Sequence, residues 1–358
     1  MIDCELTVWS QGPHVQQIYT GLGELARAGL IKFRQRFAPM PAPDPHAPRY
    51  LSGTRATHCA LVVEGSHRLY FDLHDSAHID LEALNLSDWY FKRSYDPIAI
   101  GGLPESARIQ PLGFNYEVYA DGFDTYSIVR ASAAGRRWRA TAREAAAGLI
   151  GRVEKPTIGL TSKVPQFDLA PKVLFLARAW DPEGSDICTT IEADERRSIN
   201  DMRAQCILAL REAFGERFIG GLARTDYAVR HYPQALVPEG FSTQQRHYLR
   251  LLGDCPICIA TQGLHRSNGW KLGEYVAHAK AIVSERPHFA VPGDFSEGLN
   301  FLRFDDADSC VRAVDQLMQD KLLRIRMMIN NHRYYQAFLR PDQLVLNSIL
   351  RGLSSTFA

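Results

Sequence analysis

Residues 263–285 read GLHRSNGWKLGEYVAHAKAIVSE, with Arg266, Ser267, Asn268 and Gly269 directly ahead of a helix whose first turns carry Lys271 and Glu274. An apolar run, CPICIAT, ends near Thr261 just before them. In an open parallel sheet, ligands settle at such strand-to-helix junctions, because the helix N-terminus turns unpaired N–H groups and its positive dipole end towards the crevice. Arg266 and Lys271 add positive charge there and suit an anion, a diphosphate above all. Glu274 would repel a phosphate unless it meets another part of the ligand. A carboxylate accepting from ribose hydroxyls removes that conflict, so a nucleoside diphosphate satisfies all three residues. Each residue alone also has a plainer reading: a glutamate near a helix start offsets the dipole, and Lys271 can be its i,i+3 partner, worth about 0.2–0.5 kcal/mol.

A second set of titratable groups lies in YFDLHDSAHID, where a strand ends with Asp72, His74, Asp75 and Ser76. Asp75 is the first candidate for a general base and His74 the second. Asp75 could equally cap the helix that AHIDLEAL enters. His14, in QGPHVQQIY, is a third candidate, since it follows the first strand and opens a helix; Gly12 and Pro13 would let the backbone turn tightly there. Lys92 and Arg93, in DWYFKRSYD, could meet acceptor anions or donor phosphate, although charges at a strand edge are commonly just solvated.

These groups need a scaffold, and the chain supplies strands alternating with helices. The second half runs KVLFLARAW, a polar loop, a helix through SINDMRAQCILALREAFG capped by Ser198 and ended by Gly215, RFIGGLA, a short helix near TQQRHYLRLLG, CPICIAT, the quoted helix and AIVSE. That rhythm calls for a parallel sheet covered on both faces. The first half opens likewise with ELTVWSQ, a helix and IKFRQRF. A proline-rich loop follows, then a hairpin of CALVVEG and HRLYFDLH through Gly65, with DWYFKRSY and RIQPLGF completing a second sheet. The expectation is an α/β protein of two Rossmann-like domains facing a central cleft. Residues 1–160 form the first, residues 161–335 the second, and the C-terminal helix at 336–358 crosses back onto the first domain. The prolines and polar residues of EKPTIGLTSKVPQFDLAPK mark the joint.

A length of 358 residues agrees with two domains. Forty-one Lys and Arg against 40 Asp and Glu leave a net charge of +1, which removes any case for nucleic acid binding by bulk electrostatics. No run approaches the roughly 18 apolar residues of a membrane span, and the acidic opening MIDCELTVWSQG is unlike a signal peptide; a cytoplasmic protein is expected. Seven scattered cysteines fit reduced thiols, and the single CxxC, Cys255 and Cys258, sits in an apolar strand and reads as structural. The basic stretch RASAAGRRWRATAREAAAGLIGRVEK could rest on an anionic membrane through Trp138 and its arginines, or simply be a solvated helix face.

The segment GWKLGEYVAHAKAIVSE, followed by FSEGLNFLRFDDADSCVRAV and a helical tail, resembles the donor half of GT-B glycosyltransferases, in particular the bacterial group that builds surface polysaccharides. The resemblance covers about residues 170–340. It implies a strand, phosphate loop and helix bearing Lys271 and Glu274 in that order, and it marks Arg178, after the strand VLFLA, as a diphosphate contact. Many retaining members carry a second glutamate eight residues ahead of the ribose-binding one, where this chain has Arg266; an inverting displacement becomes more attractive.

The implied activity is transfer of a sugar from a UDP, GDP, CMP or dTDP donor to a glycan or lipid-linked acceptor. Arg178, Arg266 and Lys271 would stabilise the leaving diphosphate, a role worth roughly 2.7–4 kcal/mol per donor in comparable sites. The one DxD match, at 306–308, starts a helix and reads as a cap, so no metal or cofactor is expected. Two other readings fit the same sequence: an epimerase or hydrolase of nucleotide sugars, and a non-catalytic binding protein.

Overall fold

A computed structural model describes residues 1–10, 12–42, 55–121, 155–184, 189–242 and 244–354. Contacts divide the chain into two units: residues 1–162 with 289–292 and 336–358, and residues 163–288 with 293–335.

The first unit holds strands β1 (Ile2–Val8), β2 (Ile31–Phe37), β3 (His58–Val63), β4 (His67–Asp72), β5 (Trp89–Lys92) and β6 (Ile109–Pro111). They form one sheet in the order β2-β1-β3-β4-β5-β6. β3 runs antiparallel to β1 and β4, and every other pair is parallel. The β3–β4 hairpin turns at Gly65, whose φ of 69° favours glycine. The first half thus builds the sheet expected of it, separate from that of the second half. The short helix α2 (Leu81–Asn85) returns the chain so that β5 lies parallel beside β4, and β6 beside β5, within the same sheet.

Helix α1 (Gln16–Arg27) lies between β1 and β2 and buries Ile18, Leu22 and Leu25 at helical spacing, with Tyr19 beside them. Shorter helices α3 (Pro97–Gly101) and α4 (Ile158–Thr161) follow in chain order.

The second unit carries β7 (Val173–Ala177), β8 (Phe218–Leu222), β9 (Ile257–Ala260), β10 (Ala281–Ser284) and β11 (Phe301–Arg303), all parallel in the order β11-β10-β9-β7-β8. From β7 the chain goes to β8 on one side, while β9 returns on the other. The carboxyl ends of β7 and β9 therefore flank the switch point at which open sheets bind ligands. Helix α5 (Thr190–Phe214) is capped by Thr189 and Glu192 in a reciprocal capping box, nine residues earlier than the expected Ser198; it ends at Gly215 with φ 51°, as expected. Helices α6 (Asp226–His231), α7 (Gln245–Asp254) and α8 (Trp270–Ala277) cover the sheet, with α9 (Ala307–Gln319) and α10 (Lys321–Tyr334) after it. Asp306 caps α9, in agreement with the reading of the DxD match.

Helix α11 (Pro341–Ser354) belongs to the first unit and packs along α1 and β4, so the C-terminal helix does return to the N-terminal sheet. Glycine makes the approach possible: a Cβ on Gly21 would stand 2.1 Å from the Pro341 carbonyl oxygen and 2.6 Å from Val345 Cγ2. No helix among the described residues is long and apolar enough to cross a membrane. Arg130, Arg136, Arg137, Trp138, Arg139, Arg143 and Arg152 of the basic stretch lie outside the described residues.

Gly21→Ala is expected to destabilise the chain by about 1–3 kcal/mol, because a backbone rather than a side chain must give way. Gly253→Ala, in α7 with nothing within 4 Å of the added Cβ, should be neutral or stabilise by about 0.4–1 kcal/mol. Urea denaturation of both variants at constant m checks the contrast.

Candidate functional site

In the second unit a single side chain organises the switch point. Arg203 projects from α5, is 8% exposed, and donates to the Arg178 carbonyl (2.6 Å), Thr261 Oγ1 (2.9 Å) and the Gln262 carbonyl (2.9 Å). The loops after β7 and β9 are thereby tied to one guanidinium. Burial lowers its pKa to about 10, and Glu285 acts in the opposite sense, so it remains charged at neutral pH. Glu285, just past β10, accepts from the Gln262 N–H at 2.7 Å and joins a third strand end to the assembly. Asn200, fully buried one turn along α5, both accepts from the Trp180 N–H and donates to its carbonyl.

The loop 261–269 folds on itself. Gly263 N–H donates to the Ser267 carbonyl, and Ser267 is buried against Gly263, where a Cβ would meet its Oγ at 2.5 Å. His265 and Arg266 both take left-handed φ values of 58° and 57°, a conformation costing on the order of 1–3 kcal/mol per residue and concentrated at functional sites. Glu195 on α5 holds the second of them by accepting the Arg266 backbone N–H at 3.1 Å. The Arg266 side chain itself is exposed, as is Arg178, whose guanidinium stacks over Trp180 at 4.6 Å. The Trp180 indole N–H is buried with no acceptor among the described residues.

Lys271 and Glu274 are half-buried on the first turns of α8, behind Gly269. Among the described residues they form no ion pair with each other; Tyr248 of α7 serves both. Its ring lies 4.1 Å beneath the Lys271 ammonium, and its hydroxyl donates to Glu274 Oε2 at 2.5 Å. Burial lowers the Lys271 pKa, with Glu274 opposing. Arg178, Arg266, Ser267, Gly269, Lys271 and Glu274 thus belong to the β7 and β9 strand ends and the helix after β9, with Asn268 in the same loop. Cys255 and Cys258 are buried thiols at the entry to β9, and burial raises Cys255 to about 11.

In the first unit the carboxyl ends of β4 and β5 carry a second polar cluster. Asp72 is 1% exposed and accepts from Tyr90 Oη (2.5 Å), Lys92 Nζ (2.8 Å) and the His74 backbone N–H (2.9 Å), with His58 Nε2 at 3.1 Å. Burial alone would raise the Asp72 pKa, but His58 and Lys92 hold it well below the usual carboxylate range. The expected acceptor contact through Lys92 is corrected: its side chain is 0% exposed and its ammonium is spent on Asp72. Arg93, 4% exposed, pairs with Asp75 and also donates to the Leu73 carbonyl at 3.4 Å. Asp75 is no helix cap, because Asp80 caps α2. Gly12 precedes the turn bearing His14; its N–H bonds Ser10 Oγ, and a Cβ there would make only ordinary contacts. The His14 pKa is lowered by burial, while Asp75 raises it and Arg93 lowers it, so His14, Asp75 and Arg93 act on one another. His74 is pushed down to about 4, first by burial. Among the described residues no group of three or more His, Cys, Asp or Glu could hold a metal ion.

Sequence reasoning missed Arg203, Tyr248 and Trp180. A signal for the first existed: Arg196, Asn200 and Arg203 fall at i, i+4 and i+7 on α5, and all three are buried.

No protein-family model matches the chain, nor does any curated protein. Solved structures do. An α1,3-fucosyltransferase is 11% identical over 98% of this chain and 90% of that one, with a TM-score of 0.43. A putative UDP-N-acetylglucosamine 2-epimerase from Listeria monocytogenes is 10% identical over 98% and 95%, at 0.40. The C-terminal domain of a glycosyl transferase group 1 family protein from Francisella tularensis is 11% identical over 50% and 96%, at 0.32. Glycosyltransferases, the family resembled in sequence, are thus among the matches; at these scores the likeness says nothing about activity or substrate.

The lowered His74 pKa has a stability consequence. The folded state keeps the ring neutral to about pH 4, whereas an unfolded histidine protonates near 6.5. The contribution is therefore complete above about pH 6.5 and is lost as pH falls towards 4. Urea unfolding at pH 7.0, 5.5 and 4.5 should show stability falling, and His74→Gln should lose roughly 1–3 kcal/mol less over that range.

Proposed function

We propose that the chain is a glycosyltransferase that moves a sugar from a nucleotide-sugar donor to a glycan or lipid-linked acceptor. The observation that carries this reading is the Arg203 anchor at the β7/β9 switch point, which holds two strand-end loops beside a helix start bearing Lys271 and Glu274. Preorganised loops and cations at that position suit a diphosphate. The exposed guanidiniums of Arg178 and Arg266 would meet phosphate oxygens. Lys271, kept partly dry above Tyr248, would offset the charge that develops as the nucleoside diphosphate leaves. Glu274, oriented by the Tyr248 hydroxyl, would accept from the ribose. These side chains supply the leaving-group stabilisation without calling on a metal.

The first unit would supply the acceptor's proton acceptor. Of the three candidates, Asp75 is engaged by Arg93 and the His74 Nδ1 receives a backbone N–H. His14 is the one whose environment fits: burial keeps it neutral, and the Asp75 carboxylate stabilises the imidazolium once it forms.

A thermal-shift screen of UDP, GDP, CMP and dTDP should raise the apparent stability with one of them. Calorimetry with that nucleotide should show Lys271→Ala and Glu274→Ala each weakening binding by roughly 1–3 kcal/mol. Unchanged affinity in both variants defeats the nucleotide site, and nucleotide release from donor alone, at the same rate with and without acceptors, makes the chain an epimerase or hydrolase instead.

A further inference from the structure

The turn after β4 determines which nitrogen of His74 carries its proton. The Ser76 backbone N–H, a group that can only donate, points at His74 Nδ1 from 3.2 Å. Nδ1 is therefore the acceptor, and the hydrogen of the neutral ring sits on Nε2. Ser76 Oγ lies 3.0 Å from the same Nδ1. The turn has little freedom to present the ring otherwise. Asp72 holds the His74 N–H from below, and the Ser94 hydroxyl reaches the carbonyls of His74 (3.0 Å) and Asp75 (2.8 Å) from β5's end. Ser76 and Ser94 are both buried.

Four charged or titratable groups face the ring. Asp72 and Asp75 favour the imidazolium; Lys92 and His58 oppose it. Burial adds to the second pair and outweighs the first, so the ring stays neutral. Among the described residues nothing accepts the Nε2 hydrogen, and the half-buried ring keeps one donor available. The next residue, Asp75, is an acceptor only, with its side chain 36% exposed and one oxygen taken by Arg93.

We infer that His74 and Asp75 form a donor–acceptor pair recognising a neutral hydroxyl of the acceptor substrate: His74 Nε2–H donates to the hydroxyl oxygen, Asp75 accepts the hydroxyl hydrogen, and His74 takes no proton in the reaction. This assignment rests on the glycosyl-transfer reading and deepens it by naming the acceptor's chemistry. A polyol offers both halves of such a pair. A carboxylate or fully ionised phosphate offers no hydrogen and meets the repulsion of Asp75, whose one cationic partner is already engaged.

Two measurements test it. In the full chain labelled with 15N-histidine, a long-range 1H–15N correlation at pH 7, with the His74 ring identified as the signal lost in His74→Gln, should show the Nε2–H tautomer, unchanged from pH 5.5 to 8. An Nδ1–H tautomer or an imidazolium at pH 7 overturns the proposal. Initial rates with the donor identified by the nucleotide screen and neutral methyl glycosides as acceptors give the second readout. His74→Gln, whose amide can donate in place of Nε2–H, should keep the acceptor KM within about threefold, while His74→Leu raises it about tenfold with kcat little changed. A collapse of kcat in both variants alike would assign His74 to proton transfer and overturn the proposal. If wild-type protein shows no transfer at all, the glycosyltransferase reading falls, and with it the acceptor assignment, while the tautomer result still stands or falls by itself.

Discussion

Parallel strands end in loops whose backbone oxygens have no partner in the sheet, and in the second unit those after β7 and β9 converge on one guanidinium. Arg203 takes two carbonyls and a hydroxyl with three separate nitrogens, a demand that its planar fork meets and a lysine's point charge would not. The charge survives burial, since a pKa near 10 still leaves it protonated at neutral pH. Because Gln262 is held from the other side by Glu285, the strand ends of β7, β9 and β10 share a single arrangement. The strand-end loops that carry Trp180 and lead into α8 hang from that arrangement.

The first unit solves a similar problem with the opposite sign. Asp72 is the buried ion, and it gathers hydrogens from Tyr90, Lys92 and the backbone of the turn that follows it. Taking both Asp72 and Lys92 out of water is costly, and such pairs contribute more to a defined geometry than to net stability. Here the geometry obtained is that of residues 74–76, which in turn decides the hydrogen-bonding state of His74. Carbonyl-gathering cation in one sheet, hydrogen-gathering anion in the other: each leaves a polar surface at the carboxyl ends of its strands.

Much of this was legible in the sequence. Apolar runs and helical spacing predicted the strands and long helices, and Gly65, Gly215 and Asp306 marked turn, stop and cap where the chain uses them. The start of α5 was misplaced because TIEADERR is a polar first two turns with almost no apolar signal, although Thr189 and Glu192 held the capping pattern. For Lys92 the sequence suggests an acceptor or phosphate contact or a solvated edge, because its true partner becomes visible only through register: β4 and β5 pair Asp72 with Lys92 directly. Tyr248 was invisible for the same kind of reason, since its contacts with Lys271 and Glu274 join two helices that only the tertiary fold brings together. The residues proposed for the diphosphate were adjacent in sequence and so could be recognised; those that hold them in place were not.

The close crossing at Gly21 places residues 341–354 within the core of the unit that begins at residue 1. During synthesis on the ribosome, then, the N-terminal sheet must wait with the α1 face that Pro341 and Val345 will cover still bare, while the intervening unit of residues 163–288 and 293–335 can already have assembled its own five strands almost entirely from local crossovers. The order in which the two units mature is set by this topology and runs against the order in which they are translated.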